Sequence, residues 1–397
     1  MINRPVRIAL LGTFPVRSKF DEGLEFTASF SFEHPSSPLV NLAPQLALDK
    51  ELDVHVVTLH PHLKKDYLIE NDRVTYHLLR GGRLSLQILT FYQLDKNRLI
   101  SMLDRLRPDV VQAFGTEGPY ALAAAECCYP SIIYMQGVAN ELVKSTPPKF
   151  NLNWLRLFMT QFTEKNVVRM AGNFIAESSF SEGFVRRLNP SAKIHRMKNL
   201  IHPLYFQTGR KPVDSLRVIL FIGRVTEEKG IFELLHAFAK IHDKHPEVKL
   251  EFIGPIHDPL EDARLRDSVR ELGLAESVSF SGLQPVSYIT ERLAEACMMA
   301  YPSYMDTSPN SIYEAMAVGT AVIGARVGGI PDMVEDGVTG LLVQPRDSES
   351  LARAMNFLFD YPEENQRIGQ NAKSSARAEL ESAQTIRNIK KLYMSLL

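Results

Sequence analysis

DTSPNSIYEAMAVGTAVIGARVGGIPDMVEDGVTGLLV occupies residues 306–343. Two acids, Asp306 and Glu314, stand eight residues apart around a short helical stretch. Gly319, Gly324, Gly328, Gly329, Gly337 and Gly340 follow closely. So small a helix with so much glycine behind it reads as poor core material, better suited to holding a ligand against backbone amides. With YPSYM (301–305) in front, the order is strand, loop, helix. Ser308 reads as the N-cap and Pro309 as the first helical residue, so the free N–H groups of the first turn form an anion site.

Outward from this stretch, short apolar runs alternate with helical-period segments. VILFIGR (218–224), KLEFIGP (249–255), SVSFSG (277–282), ACMMAYPS (296–303) and TAVIGA (320–325) read as buried strands. Before them, VRIALLG (6–12), VHVVTL (54–59), DVVQAF (109–114), SIIYM (131–135) and NFIAE (173–177) repeat the rhythm, with helices expected at 95–107 and 118–128 between them. Strands of this kind belong to parallel sheets covered by helices on both faces. The rhythm pauses in the polar, Pro- and Gly-containing segment that starts at Asn199. The expectation is an α/β chain of two doubly wound, Rossmann-like domains facing across a cleft, with ligands beyond the carboxyl ends of the strands.

The strand ends carry suitable chemistry. After 218–224, Arg224 is followed five residues later by Lys229 and Gly230 at a helix start. A guanidinium that grips two oxygens, an ammonium and nearby amide donors suit a diphosphate. Carboxylates repel phosphate but accept hydrogen bonds from sugar hydroxyls. Two acids beside two anion sites therefore point to a nucleotide carrying a sugar.

The pattern G-R-x(4)-K-G, then acid-x(7)-Glu-A-M-A-x-G, then V-G-G-I-P-D-x-V-E-D-G-x-T-G-L-L-V closely resembles the donor domain of glycosyltransferase family 4 (glycosyl transferases group 1), retaining enzymes of the GT-B fold. The match is dense over 217–345 and thins over the first 200 residues. The resemblance implies an acceptor-side domain at 1–203, a donor-binding domain at 204–375, and a terminal helix at 376–397 that packs back on the first domain. It assigns the catalytic set to Asp306, Glu314, Arg224 and Lys229. Arg224 and Lys229 would hold the diphosphate, Glu314 the ribose and Asp306 the transferred sugar. Gly223, Gly254, Ser308, Pro309, Asn310 and Ser311 would add donor contacts. Three departures stand out: the family's usual first Glu is Asp306 here, the next loop reads T-S-P-N rather than G-F-G, and Gln112, Phe114 and Gln136 occupy strand ends where such enzymes often carry a His. Gly12, Glu117 and Gln136 are the acceptor-side candidates.

Lys plus Arg (45) nearly balances Asp plus Glu (46), which argues against nucleic acid as a partner. Three cysteines without a C-x-x-C pair fit a cytoplasmic setting without a disulfide or metal framework. The N-terminus reads as a strand rather than a signal peptide, and no run reaches the length of a membrane span. No D-x-D occurs, so neither metal nor cofactor is expected. The helix 151–170 is amphipathic, with Trp154, Leu155, Phe158, Met159 and Phe162 on one side. It reads first as a helix packed on its sheet, and second as a peripheral contact with the inner membrane face near a lipid-linked acceptor. The leading expectation is a metal-independent retaining hexosyltransferase that moves sugar from a nucleotide-sugar donor to a polysaccharide, glycolipid or other glycoconjugate. The alternatives are a non-catalytic nucleotide-sugar-binding partner, or a GT-B epimerase or hydrolase.

Overall fold

Five of the six side chains of Val6–Leu11 are buried, so the segment needs cover on both faces. It is the central strand β1 of a sheet in a computed structural model that describes residues 4–16, 24, 38–145, 152–212, 217–380 and 382–397. The other strands are β2 (Leu52–His60), β3 (Tyr67–Asn71), β4 (Val74–Arg80), β5 (Val110–Phe114), β6 (Ser131–Tyr134), β7 (Asn173–Ala176) and β8 (Lys193–Arg196). Their order is β3-β4-β2-β1-β5-β6-β7-β8. Side chains alternate between two cores as a period of two requires: Ile8 and Leu10 enter one, Ala9 and Leu11 the other.

One pair departs from the parallel rhythm. β3 and β4 are antiparallel and closed by the two-residue turn Asp72-Arg73, both with positive φ (50° and 65°). That is the turn whose twist matches a hairpin. β3 is an edge strand whose inward positions are only half-buried, so no apolar run announced it.

The second sheet comprises β9 (Val218–Ile222), β10 (Lys249–Ile253), β11 (Val278–Gly282), β12 (Ala296–Tyr301), β13 (Val322–Ala325) and β14 (Leu341–Val343). The order is β11-β10-β9-β12-β13-β14, and every pairing is parallel. Direction of growth reverses between β9 and β12, which makes the gap between their ends the topological switch point.

The chain divides into one unit of Met1–Leu200 with Ser382–Leu397, and a second of Ile201–Glu381. The first boundary falls three residues before the expected 203 and the second six after 375. Packing explains the first shift: Leu200 is buried in the first unit's core, whereas Ile201 and Tyr205 are buried in the second's. The terminal helix Ser382–Ser395 closes the first unit. Ile389, Leu392 and Tyr393 enter its core, the Tyr393 hydroxyl donates to Gln112 Oε1 at 2.8 Å, and Lys390 Nζ reaches Asp49 and Glu51 at 2.5 Å each. Gln112 is thereby committed to a buried structural bond.

The helix 151–170 packs in the first unit's core, as its first reading has it, but through a different face from the one expected. Leu152–Met170 is helical, but Leu155, Phe158 and Phe162 are exposed and only Met159 of that group turns inward. The buried face is instead Met159, Thr163, Glu164, Val167 and Val168. The Trp154 side chain lies outside the described residues.

Candidate functional site

Two loops, one after β9 and one after β12, interlock at the switch point. β9 ends at Ile222, Gly223 and Arg224 follow, and Glu227–Lys229 makes one 3-10 turn. A Cβ on Gly230 would lie 2.1 Å from the Pro302 carbonyl oxygen of the other loop. The Ser303 hydroxyl (3.2 Å) and the Tyr304 amide (2.9 Å) both donate to the Glu228 carbonyl. Lys229 and Asp306 therefore meet on a backbone frame held at several points.

Their side chains form an ion pair of 2.5 Å between Lys229 Nζ and Asp306 Oδ2, with about one-eighth of each side chain exposed. The Tyr301 hydroxyl donates to the same Oδ2 at 2.8 Å, and the Thr307 amide donates to Oδ1 at 2.8 Å. Burial opposes the Asp306 charge, but Lys229, Tyr301 and Thr307 outweigh it and hold the carboxyl below its ordinary pKa. Lys229 Nζ also lies 5.6 Å from the centroid of the Tyr301 ring, which stacks on Phe221 with 3° between planes. An ion pair this dry adds little net stability, so a functional reason for keeping it is favoured.

Arg224 is exposed at the same strand ends. Its charge is felt by the Tyr301 hydroxyl and by His257, whose pKa burial and then Arg224 push down. Gly223 and Gly254 directly follow the neighbouring strands β9 and β10, and a Cβ on Gly254 would lie 1.9 Å from the Gly223 carbonyl oxygen. With φ at +141°, that position accepts glycine and little else.

The helix after β12 overturns the expectation of poor core material. In Asn310–Val318, every residue from Ser311 onward except Glu314 is buried. Ala315 and Ala317 let it lie close against its neighbours, and a helix apolar on nearly all sides belongs in a core. A carboxylate on such a helix is conspicuous. Glu314 is half-buried and hydrogen-bonded to the Tyr205 hydroxyl; burial pushes its pKa up to about 7, against the moderating pull of that bond.

The helix start is also corrected. Pro309, with φ −68° and ψ 116°, is the N-cap and the first helical residue is Asn310. No side chain caps it, and the Ser308 hydroxyl points to Met333 Sδ at 4.0 Å. Asn310 and Ser311 stand at the helix start as expected.

The first unit keeps its candidates at strand ends. Gly12 follows β1, where a Cβ would lie 2.5 Å from Leu39, so close helix packing is its evident role. Glu117 is exposed and turned back to accept from the Thr116 amide at 2.7 Å. Gln136 Nε2 is buried without a hydrogen-bond partner. Gly23, in the segment after β1, lies outside the described residues.

Three residues escaped sequence reasoning. Tyr301 is the last residue of β12, and a polar-tipped aromatic at a strand's carboxyl end was a usable signal. Tyr205 had none, because its partner is more than a hundred residues away. Buried Glu164 accepts from Thr116 Oγ1 (2.7 Å) and from the Ala139 and Asn140 amides (3.0 and 2.8 Å), tying together the loops that carry Glu117 and Gln136.

The family model described as Glycosyl transferases group 1 matches residues 208–375. D-inositol 3-phosphate glycosyltransferase of Corynebacterium efficiens is 34% identical over 164 residues, 41% of this chain and 39% of that protein. Alpha-maltose-1-phosphate synthase of Mycolicibacterium smegmatis is 30% identical over 234 residues, 53% of this chain and 60% of that protein. The chain thus spans about two fifths to three fifths of the length of these relatives. Sucrose-phosphate synthase from Thermosynechococcus elongatus matches in structure with a TM-score of 0.81 at 20% identity, covering 98% of this chain and 99% of that one. Anabaena HepE in complex with UDP and glucose matches with a TM-score of 0.72 at 18% identity, covering 98% and 100%. These structures share the fold, two Rossmann-like units of the GT-B class. The segment matched by the glycosyl transferases group 1 model lies within the second unit and includes the interlocked loops and the helix that carries Glu314.

Proposed function

We propose that this chain is a retaining, metal-independent hexosyltransferase that uses a nucleotide-sugar donor. The observation that supports it best is the Lys229–Asp306 ion pair that joins the loops after β9 and β12 at the switch point of the second sheet, within the segment matched by the family model. Arg224 and Lys229 take the diphosphate, assisted by the start of the Asn310–Val318 helix, and Glu314 takes the ribose hydroxyls. HepE was solved with UDP and with UDP-glucose, which makes uridine nucleotides the first donors to try.

In the proposed transfer, the bond from the sugar's anomeric carbon to the diphosphate oxygen breaks and a bond to the acceptor oxygen forms on the same face. The acceptor's proton passes to the departing phosphate oxygen. The protein's part is positioning and neutralising the leaving group, and Arg224 and Lys229 supply the charge otherwise expected of a metal. The acceptor is a saccharide or a lipid-linked saccharide, with Glu117 and Gln136 as its contacts and no further cofactor.

Peripheral contact at the inner, cytoplasmic membrane face is the finer proposal on location. No described helix is long and apolar enough to cross a membrane. Support comes from the outward stripe Leu155, Phe158 and Phe162, which continues into Lys165 and Arg169, a pattern suited to an anionic lipid surface.

The test is a titration of UDP, GDP, ADP and TDP followed by a transfer assay with excess chelator. Binding of a diphosphate with transfer that survives chelation is expected. Activity abolished by chelator and restored by Mn²⁺ overturns the metal-independent mechanism. A chain that binds a nucleotide sugar yet neither transfers nor hydrolyses it is the non-catalytic partner.

A further inference from the structure

We propose that Tyr301 and Asp306 are positioning residues for Lys229, and that Asp306 does not serve as the ligand of the transferred sugar. This inference rests on the donor-site reading above and assigns the first acid of the motif a different task from the one implied by resemblance.

A carboxylate offers about four acceptor positions. Three on Asp306 are taken: Oδ2 by Lys229 and Tyr301, Oδ1 by the Thr307 amide. Lys229 is the mobile partner, a point charge on four rotatable carbons. Every other member is fixed. The Tyr301 ring is stacked on Phe221, which in turn packs on Phe252, so its hydroxyl sits at the end of an aromatic row in the core. The Asp306 carbonyl accepts from the Gly329 amide at 3.0 Å, and Gly328 lies against the same carbonyl. The short Asp side chain keeps the carboxylate within reach of Tyr301. Burial and then the Asp306 charge raise the pKa of Tyr301, which leaves it a hydrogen donor at working pH and excludes it as a base. The arrangement holds the ammonium at the switch point before ligand arrives, so less side-chain freedom is lost on binding phosphate.

The experiment is calorimetric titration of UDP and UDP-glucose against the unaltered chain, Tyr301→Phe, Asp306→Asn, Lys229→Ala and the double variant Tyr301→Phe/Lys229→Ala. Each variant's melting curve verifies folding, and Tyr301→Phe keeps the aromatic row should Asp306→Asn fail to fold. Tyr301→Phe and Asp306→Asn are expected to weaken both ligands alike, by about tenfold, the scale of one charge-assisted contact. Tyr301→Phe should add nothing once Lys229 is gone, because a positioning role disappears with the group positioned. Loss confined to UDP-glucose would make Asp306 a sugar ligand and overturn the inference. Equal losses that persist in the Lys229→Ala background would reveal a structural role and overturn it as well. If the unaltered chain binds none of the four nucleoside diphosphates, the donor-site reading fails and takes this inference with it. If it binds one and the variants match it, only the inference fails.

Discussion

A Cβ built on Gly328 lies 1.9 Å from the carbonyl oxygen of Asp306, at a residue whose φ is +54°. The glycines behind the Asn310–Val318 helix are thus accounted for at one point: the returning loop presses on the backbone that carries the first acid. Gly328→Ala should destabilise the second unit by about 2 kcal/mol or more, from left-handed backbone strain plus a backbone clash. Gly337 is a matched control, with φ +74° and open space at its Cβ, and its alanine variant should cost only about 1 kcal/mol. Urea unfolding midpoints of the two variants decide the matter; equal costs would remove the clash from the account.

Arg224 is exposed, so its loss should be silent for folding and audible for binding. Arg224→Ala should weaken nucleoside diphosphate binding by about 2–4 kcal/mol, the range of a lost charge-assisted, bidentate contact. The melting temperature without ligand should stay put. Unchanged affinity by calorimetry would return Arg224 to the status of a solvated turn residue.

Glu314 should make donor binding depend on pH. Its pKa stands at about 7 against an ordinary 4.5, because burial disfavours the charge. Below about pH 7 the protonated form is therefore the favoured one in the folded chain without ligand. Its contribution to stability is present below about pH 4.5 and is lost as pH rises through about 7. Ribose binding needs the opposite form, since only the carboxylate accepts from two hydroxyls. UDP-glucose affinity should accordingly fall as pH drops through about 7, and Glu314→Gln should flatten the profile. UDP-glucose is the better probe because a free terminal phosphate titrates at about pH 6 and would obscure the effect. A Gln variant that keeps the slope would show that another group is responsible.

The outward stripe of the Leu152–Met170 helix predicts binding to anionic vesicles. Replacing Phe158 and Phe162 with Ser should abolish co-sedimentation with vesicles that contain phosphatidylglycerol. Vesicles of phosphatidylcholine alone should bind the unaltered chain weakly, because Lys165 and Arg169 then lack partners. Co-sedimentation that survives the double change would place the contact elsewhere. A chain that ignores both vesicle types would leave the stripe without a lipid partner.

Much of this architecture was legible from one dimension. Strands such as 218–222 and 110–114 announce themselves because burial on both faces demands unbroken apolar runs, a local property. The order of Arg224, Lys229, Asp306 and Glu314 was legible for a related reason: residues at the carboxyl ends of parallel strands converge whenever the strands are central. The edge hairpin β3–β4 was not legible, because β3 is half-buried at best and the buried side chains of β4 mostly alternate with partly exposed ones, so neither forms a long apolar run. Nor was the status of the Asn310–Val318 helix. Its alanines look like weak core material until the sheet and its neighbours close around them, and only then does Glu314 become a costly carboxylate with a raised pKa. The partners Tyr301 with Asp306, Tyr205 with Glu314 and Tyr393 with Gln112 were equally hidden. Each of those bonds depends on where two backbones come to rest, and burial, which gives each bond its strength, exists only after the chain has folded.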